Sequence, residues 1–140
     1  MVKEKMRYIL STLILFSWLS LACADERQVI ASVIASESCS EGEIGMKLVS
    51  EVIANRAQAW HKTPYEVVTA KNQFYGYTAS NRARLYQECQ QTADRLAGVV
   101  LAKQTGNETR GALYFLAPGE RVRKWHKIKT ITYRRHTFYH

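Results

Sequence analysis

Apolar and polar positions follow two different periods along this chain. From residue 29 to residue 104 the period is helical. Val29, Ile30, Val33 and Ile34 recur at the spacing of one buried helix face, and Leu48, Val49, Val52 and Ile53 repeat that face a segment later. Between them Ser40-Glu41-Gly42-Glu43 has the form of a capping box, with Ser40 as N-cap and Glu43 at the third helical position. The chain is therefore expected to turn at Cys39–Ser40 and to pack two helices against each other. Thr63-Pro64-Tyr65-Glu66 is a second start signal: a cap, a proline at the first helical position and an acid at the third. The short helix it opens is expected to end in a loop at Asn72-Gln73-Phe74-Tyr75-Gly76-Tyr77. Leu85, Cys89, Ala93, Leu96 and Val100 predict a long helix from about Asn81 to Gln104, with Gly106 as its stop.

The period then shortens. Gly111 to Leu116 is an apolar run ended by Pro118-Gly119, and the segments Ile128 to Tyr133 and His136 to Tyr139 are rich in β-branched and aromatic residues. These predict a small antiparallel sheet. The fold class is α+β, mainly α, with the sheet near the C-terminus. A chain of 140 residues, 46% hydrophobic, supports one core rather than two. Residues 1–24 stand apart from it: Lys3, Lys5 and Arg7 precede an apolar run from Tyr8 through Leu21, and Ala22-Cys23-Ala24 offers small residues for cleavage. This is the pattern of a secretory signal peptide, leaving one domain at 25–140. An uncleaved anchor is the alternative. Lipidation at Cys23 ranks lower, because Ser20 stands where a large aliphatic residue is required.

Export changes how the cysteines read. Loss of Cys23 with the signal leaves Cys39 and Cys89, an even pair in a compartment that permits disulfides, so a bridge is expected and two buried free thiols are the alternative. Charge is uneven too. The net +8 divides into +2 for residues 1–24, −1 for 25–102 (eight basic, nine acidic) and +7 for 103–140 (nine basic, two acidic). Such a C-terminal field favours an anionic envelope surface. Nucleic acid is not expected, since no helix-turn-helix, zinc-finger or RNP pattern accompanies the charge.

The candidate chemistry lies in the first helical stretch. Glu37 continues the Val33–Ile34 stripe where Leu or Ile would be expected, and Glu41 lies one turn further on. Burying a carboxylate among aliphatic side chains costs several kcal/mol unless it is protonated or paired, which raises its pKa and suits a general acid. Glu37 could equally pair with an arginine or cap a neighbouring helix. Glu41 is expected to be the less buried of the two. The aromatics around Gly76 suit a loop that offers ring faces to a sugar, with a core lid as the alternative. There is no HExxH, no paired CxxC, no glycine-rich phosphate loop and no GxSxG elbow, so neither a metal, another cofactor nor a serine nucleophile is expected.

The order of these features resembles the SleB family of cell-wall hydrolases over nearly the whole of residues 25–140. The resemblance rests on Glu37, Glu41, Gly45 and the pair Asn55-Arg56, then Gln73-Phe74, Gly111 to Phe115, Trp125, and His136-Thr137-Phe138-Tyr139. Ser38 and Ser40 replace the usual Ala and Gly around the glutamates, and Arg134 stands where a Gly commonly precedes the terminal motif.

The resemblance implies a small lysozyme-like helical domain acting on peptidoglycan glycan strands. The implied reaction cleaves between N-acetylmuramic acid and N-acetylglucosamine, as a lytic transglycosylase with Glu37 as general acid and base. Glu41 would support it, or would activate water in an inverting hydrolase, whose carboxyls stand about 6.5–9.5 Å apart. Gln73, Phe74, Tyr114, His136 and Tyr139, with Tyr77 of the aromatic loop, are the substrate-binding candidates. The expected location is exported, in the periplasm or at the cell wall. A non-catalytic peptidoglycan-binding or envelope-assembly module is the alternative.

Overall fold

The computed structural model describes residues 25–140; the expected signal peptide lies outside the described residues. Helix α1 (25–38) buries Ile30, Ala31, Val33, Ile34 and Ala35 completely. Its serines fit this apolar setting because each hydroxyl donates to a carbonyl of the preceding turn: Ser32 to Val29, Ser36 to Ser32 and Ser38 to Ile34, at 2.8–3.0 Å. A 3₁₀ turn, Cys39–Glu41, separates α1 from α2 (Gly42–Trp60).

That turn corrects the expected capping box. Ser40 is exposed and bonds nothing at the helix start; Glu41 is the residue before α2, and Gly42 takes the positive φ of 74° that redirects the chain. Glu37 and Glu41 therefore do not share one helical turn. The reciprocal box forms at the second signal instead, where Thr63 N–H donates to Glu66 Oε2 (2.8 Å) and Glu66 N–H to Thr63 Oγ1 (3.1 Å), opening α3 (Pro64–Thr69).

The expected aromatic loop closes into a single helical turn, α4 (Tyr75–Thr78). Helix α5 (Arg82–Leu101) carries the buried positions Ala93, Leu96, Ala97 and Val100, and its helical geometry is interrupted at Cys89 (φ −117°). Cys89 is bonded there to Cys39, with Cα atoms 6.0 Å apart. The helix stops short of Gly106; Lys103 takes the left-handed conformation just past its end.

Helix α2 is the shared wall of two cores. Met46, Val49 and Ile53 face α1, α3 and α5, whereas Leu48 and Val52 face Ala112 and Phe138 on the sheet side. The sheet comprises β1 (Tyr114–Leu116), β2 (Lys129–Tyr133) and β3 (His136–Tyr139), all antiparallel in the order β1-β3-β2. In β3 the pleat turns His136 and Phe138 inward and leaves Thr137 and Tyr139 half-buried. Among the described residues no helix is long and apolar enough to cross a membrane.

Candidate active site

Glu37 ends α1 half-buried, and its Oε1 accepts the Gly76 N–H at 2.5 Å from the first turn of α4. Burial raises its pKa; the Gly76 N–H and the nearby Arg56 charge pull it back, and the Glu120 charge pushes it up again. The contact requires glycine at 76. A Cβ there would stand 2.8 Å from Ser36 Cβ and 2.9 Å from Glu37 Oε1. Both ordinary structural uses of Glu37, a helix start and an arginine neighbour, are thus realised beside its raised proton affinity.

Arg56 joins the helical layer to the sheet. Its Nε donates to Leu113 O (2.6 Å) and its guanidinium to Gln73 O (3.1 Å), while the group lies 4.6 Å from the Phe74 ring centre, 5.3 Å from Trp60 and 5.5 Å from Tyr114. Burial lowers its pKa to about 10, with Tyr114 and Glu37 opposing, so it stays cationic at neutral pH.

Arg56 also lines a cavity of about 790 Å³, with Trp60, Lys62, Gln73, Tyr114, Glu120, Arg121, Arg123, Trp125 and His126 among its walls. Glu37 is not itself a lining residue. It is close enough to Arg56 and Glu120, which do line the cavity, for their charges to act on it. Of the other candidates, Gln73 and Tyr114 line this space, and Phe74 is buried behind Gln73, beneath Arg56. Tyr77 lines a separate, smaller cavity of about 590 Å³ with Phe74 and Tyr75, and its ring faces the Arg82 guanidinium. Tyr139 stacks behind His126 (5.2 Å).

Glu41 belongs to another neighbourhood. It is only 3% exposed, more buried than Glu37, which reverses the order expected from sequence. The reason is Gly45: a Cβ there would stand 2.2 Å from Glu41 Cβ, so the missing side chain lets Glu41 lie against α2. Its Oε2 accepts the Arg135 N–H from the β2–β3 turn (3.3 Å). His136 sits beside it, edge-on to Phe115 at 5.0 Å, with its pKa lowered by burial and its buried Nδ1 unpartnered among the described groups. Arg56, Gln73 and Tyr114 thus line one cavity, with Glu37 outside its lining but within range of the Arg56 and Glu120 charges, while Glu41 and His136 lie together at the β2–β3 turn.

Sequence reasoning missed Trp60, Glu120 and His126. Glu120 and His126 fall in the irregular stretch between β1 and β2, where no period marks a facing side. Trp60 is the last residue of α2, and its neighbour Arg56 was legible only as part of a motif. Among the described residues no cluster of three His, Cys, Asp or Glu could hold a metal.

The model of the Cell Wall Hydrolase family matches residues 40–139, from the 3₁₀ turn through the last strand. The chain belongs to the cell wall hydrolase family. Membership implies peptidoglycan as the substrate and an extracellular or cell-wall location. The cell wall hydrolase also has the fold of the catalytic domain of the Bacillus cereus SleB protein, with a TM-score of 0.65 and 21% identity over 84% of this chain and 91% of that one. No curated protein matches the chain in sequence. Glu37 lies just outside the family match, on the helix that leads into it.

Proposed function

We propose that this cell wall hydrolase cleaves the β-1,4 bond between N-acetylmuramic acid and N-acetylglucosamine with Glu37 as the proton donor. The supporting observation is a half-buried carboxyl, raised in pKa by burial, fixed by one backbone N–H, and within reach of the charges of Arg56 and Glu120 in the cavity wall. Protonated Glu37 gives its proton to the glycosidic oxygen as the C1–O bond breaks and C1 takes on oxocarbenium character. The resulting carboxylate then accepts the proton of the muramic acid 6-hydroxyl, whose oxygen bonds to C1 and closes a 1,6-anhydro ring. Glu37 is left as a carboxylic acid, ready for the next bond.

Glu41 is proposed as a supporting residue. Its contact with Arg135 N–H and its burial behind Gly45 favour a structural anion beside His136 over a carboxylate that positions water. Gln73 and Tyr114 would contact the glycan directly, and Phe74, Tyr77, His136 and Tyr139 would shape the surfaces around it. Residues 1–24 are read as a signal peptide and 25–140 as one exported catalytic domain. A Cys39–Cys89 bond suits that oxidising location.

Mass spectrometry of muropeptides released from purified sacculi tests the reaction. Anhydro-muramyl ends are expected. Reducing ends would assign the second step to water, and no release at all would leave the binding-module alternative.

A further inference from the structure

The cavity wall carries four cations, Arg56, Lys62, Arg121 and Arg123, against one carboxylate, Glu120. Arg56 is occupied by two carbonyls and three rings. Lys62, Arg121 and Arg123 are exposed, and none forms an ion pair among the described residues, where the pairs are Lys47–Glu108, Arg84–Glu88 and Arg95–Glu43. Glu120, whose Oε2 accepts the Ala117 N–H at 2.6 Å, is in no ion pair with them and can offset at most one of these charges.

The segment bearing the two arginines is anchored. Arg123 N–H donates to His126 Nδ1 (2.8 Å), and the His126 ring packs 5.2 Å from both Tyr114 of β1 and Tyr139 of β3. Arg123 also lies 5.4 Å from the centre of the half-exposed Trp125 ring, a flat face of the kind that packs on sugars. Unpaired cations facing one cavity, beside an exposed indole, match a sugar polymer that carries carboxylates. In the stem-bearing strand each muramic lactyl carboxyl is tied up as an amide, so the carboxylates these cations can meet are those of the stems; a glycan without carboxylates leaves them without partners.

We propose that Lys62, Arg121 and Arg123 read the carboxylates of peptide stems, so that the stem-bearing strand, not the bare one, is the preferred substrate. This rests on the cavity being the glycan site of the proposed reaction. It revises the simplest view of the basic C-terminal quarter, since two of its arginines face the cavity instead of serving only to hold the protein to a surface.

Binding is measured first, with the otherwise intact Glu37→Gln chain and fluorescent glycan strands that keep their stems or have been stripped by an amidase and had the lactyl carboxylates so freed blocked as amides. This reads the preference whether or not the reaction is assigned correctly. The stem-bearing strand should bind about 10-fold more tightly at low salt, the scale of a few solvent-screened charge contacts, and the margin should shrink as salt rises. Arg121→Gln with Arg123→Gln should bring the ratio close to one, Lys62→Gln should lower it in part, and Arg→Lys at both positions should restore most of it. Cleavage by the parent chain should show the same preference in KM rather than in kcat. Equal affinity for both strands, or a double variant that keeps the preference, overturns the proposal. So does equally tight binding of heparin, which would mark a general polyanion surface. Loss of cleavage on both strands with the binding preference intact would instead count against the proposed reaction alone.

Discussion

Glu37 and Glu51 are two buried glutamates of nearly the same electrostatics and opposite surroundings. Both have their pKa raised chiefly by burial, and both accept one backbone N–H, Glu37 from Gly76 and Glu51 from Thr109 at 2.8 Å. Glu51 has no exposed surface. Near it is another carboxyl, the exposed Glu108, which the Glu51 carboxyl and the Lys47 ammonium hold down at about 2, while Glu51 Oε1 has no hydrogen-bond partner among the described residues. Together with Asn55, which donates to Ala112 O at 3.0 Å, Glu51 fastens the loop between α5 and β1 to α2. Glu37 is instead only half-buried and within reach of the charges of Arg56 and Glu120 in the cavity wall. A raised proton affinity marks burial; in the proposed reaction, access to substrate is what would make it useful.

The largest effect that would break this comparison is on turnover. Glu37→Gln should reduce sacculus digestion by about 10²- to 10⁴-fold, the usual range for a lost acid–base group, with a melting temperature equal to or above the parent's. Glu51→Gln, which keeps an acceptor for the Thr109 N–H, should leave digestion close to the parental rate. A reversal of the two would exchange their roles.

Next in size is the covalent tie beside Glu37. Alkylation of the unreduced, denatured protein should modify neither Cys39 nor Cys89, and reduction should lower stability by about 4 kcal/mol for this separation of 50 residues in the chain-entropy picture. Two modified thiols per chain would remove that tie. Glu51→Ala should cost about 3 kcal/mol in chemical denaturation, because it leaves both a small void and a buried Thr109 N–H without a partner. Activity per folded molecule should survive. A variant as stable as the parent would mean that the α5–β1 loop needs no buried clasp.

The smallest effect is on pH dependence. A glutamate with a raised folded pKa contributes stability that is complete below its unfolded value, about 4.3, and lost as pH rises through the folded value. Glu37 and Glu51 therefore both destabilise the fold progressively from mildly acid toward neutral pH. Glu108, depressed to about 2, acts only below that window, where its contribution disappears as pH falls. Thermal melts of the two Gln variants should accordingly gain on the parent as pH rises from about 4.3 toward neutral, and parental digestion should decline as rising pH takes the proton from Glu37. Parallel melting curves across that range would contradict the raised values.

The helical half of the fold was legible because its signals are local. The Val33–Ile34 and Val49–Ile53 stripes, the Thr63–Glu66 box and the β-branched C-terminal segments each decide their own element. The misreadings occurred where tertiary contacts override local chemistry. Ser40-Glu41-Gly42-Glu43 satisfies the capping pattern, yet the 3₁₀ turn displaces the helix start to Gly42, and Gly45 draws Glu41 inward. Glu51 was hidden in plain view, a lone acid between Leu48-Val49 and Val52-Ile53, and its partners lie more than fifty residues downstream. Arg134 is the converse case. Its φ of 46° occupies the region glycine favours, so the family's usual glycine near this turn has a conformational reason that sequence alone could only register as a departure.

Arg56 also has a mechanical consequence. Its guanidinium is tied to the carbonyls of residues 73 and 113 and flanked by rings from residues 60, 74 and 114, so α2, the approach to α4 and β1 meet at one side chain. Spreading the helical layer from the sheet would break these contacts together. The floor of the cavity is consequently stiff, and any adjustment to a passing polymer must come from its rim.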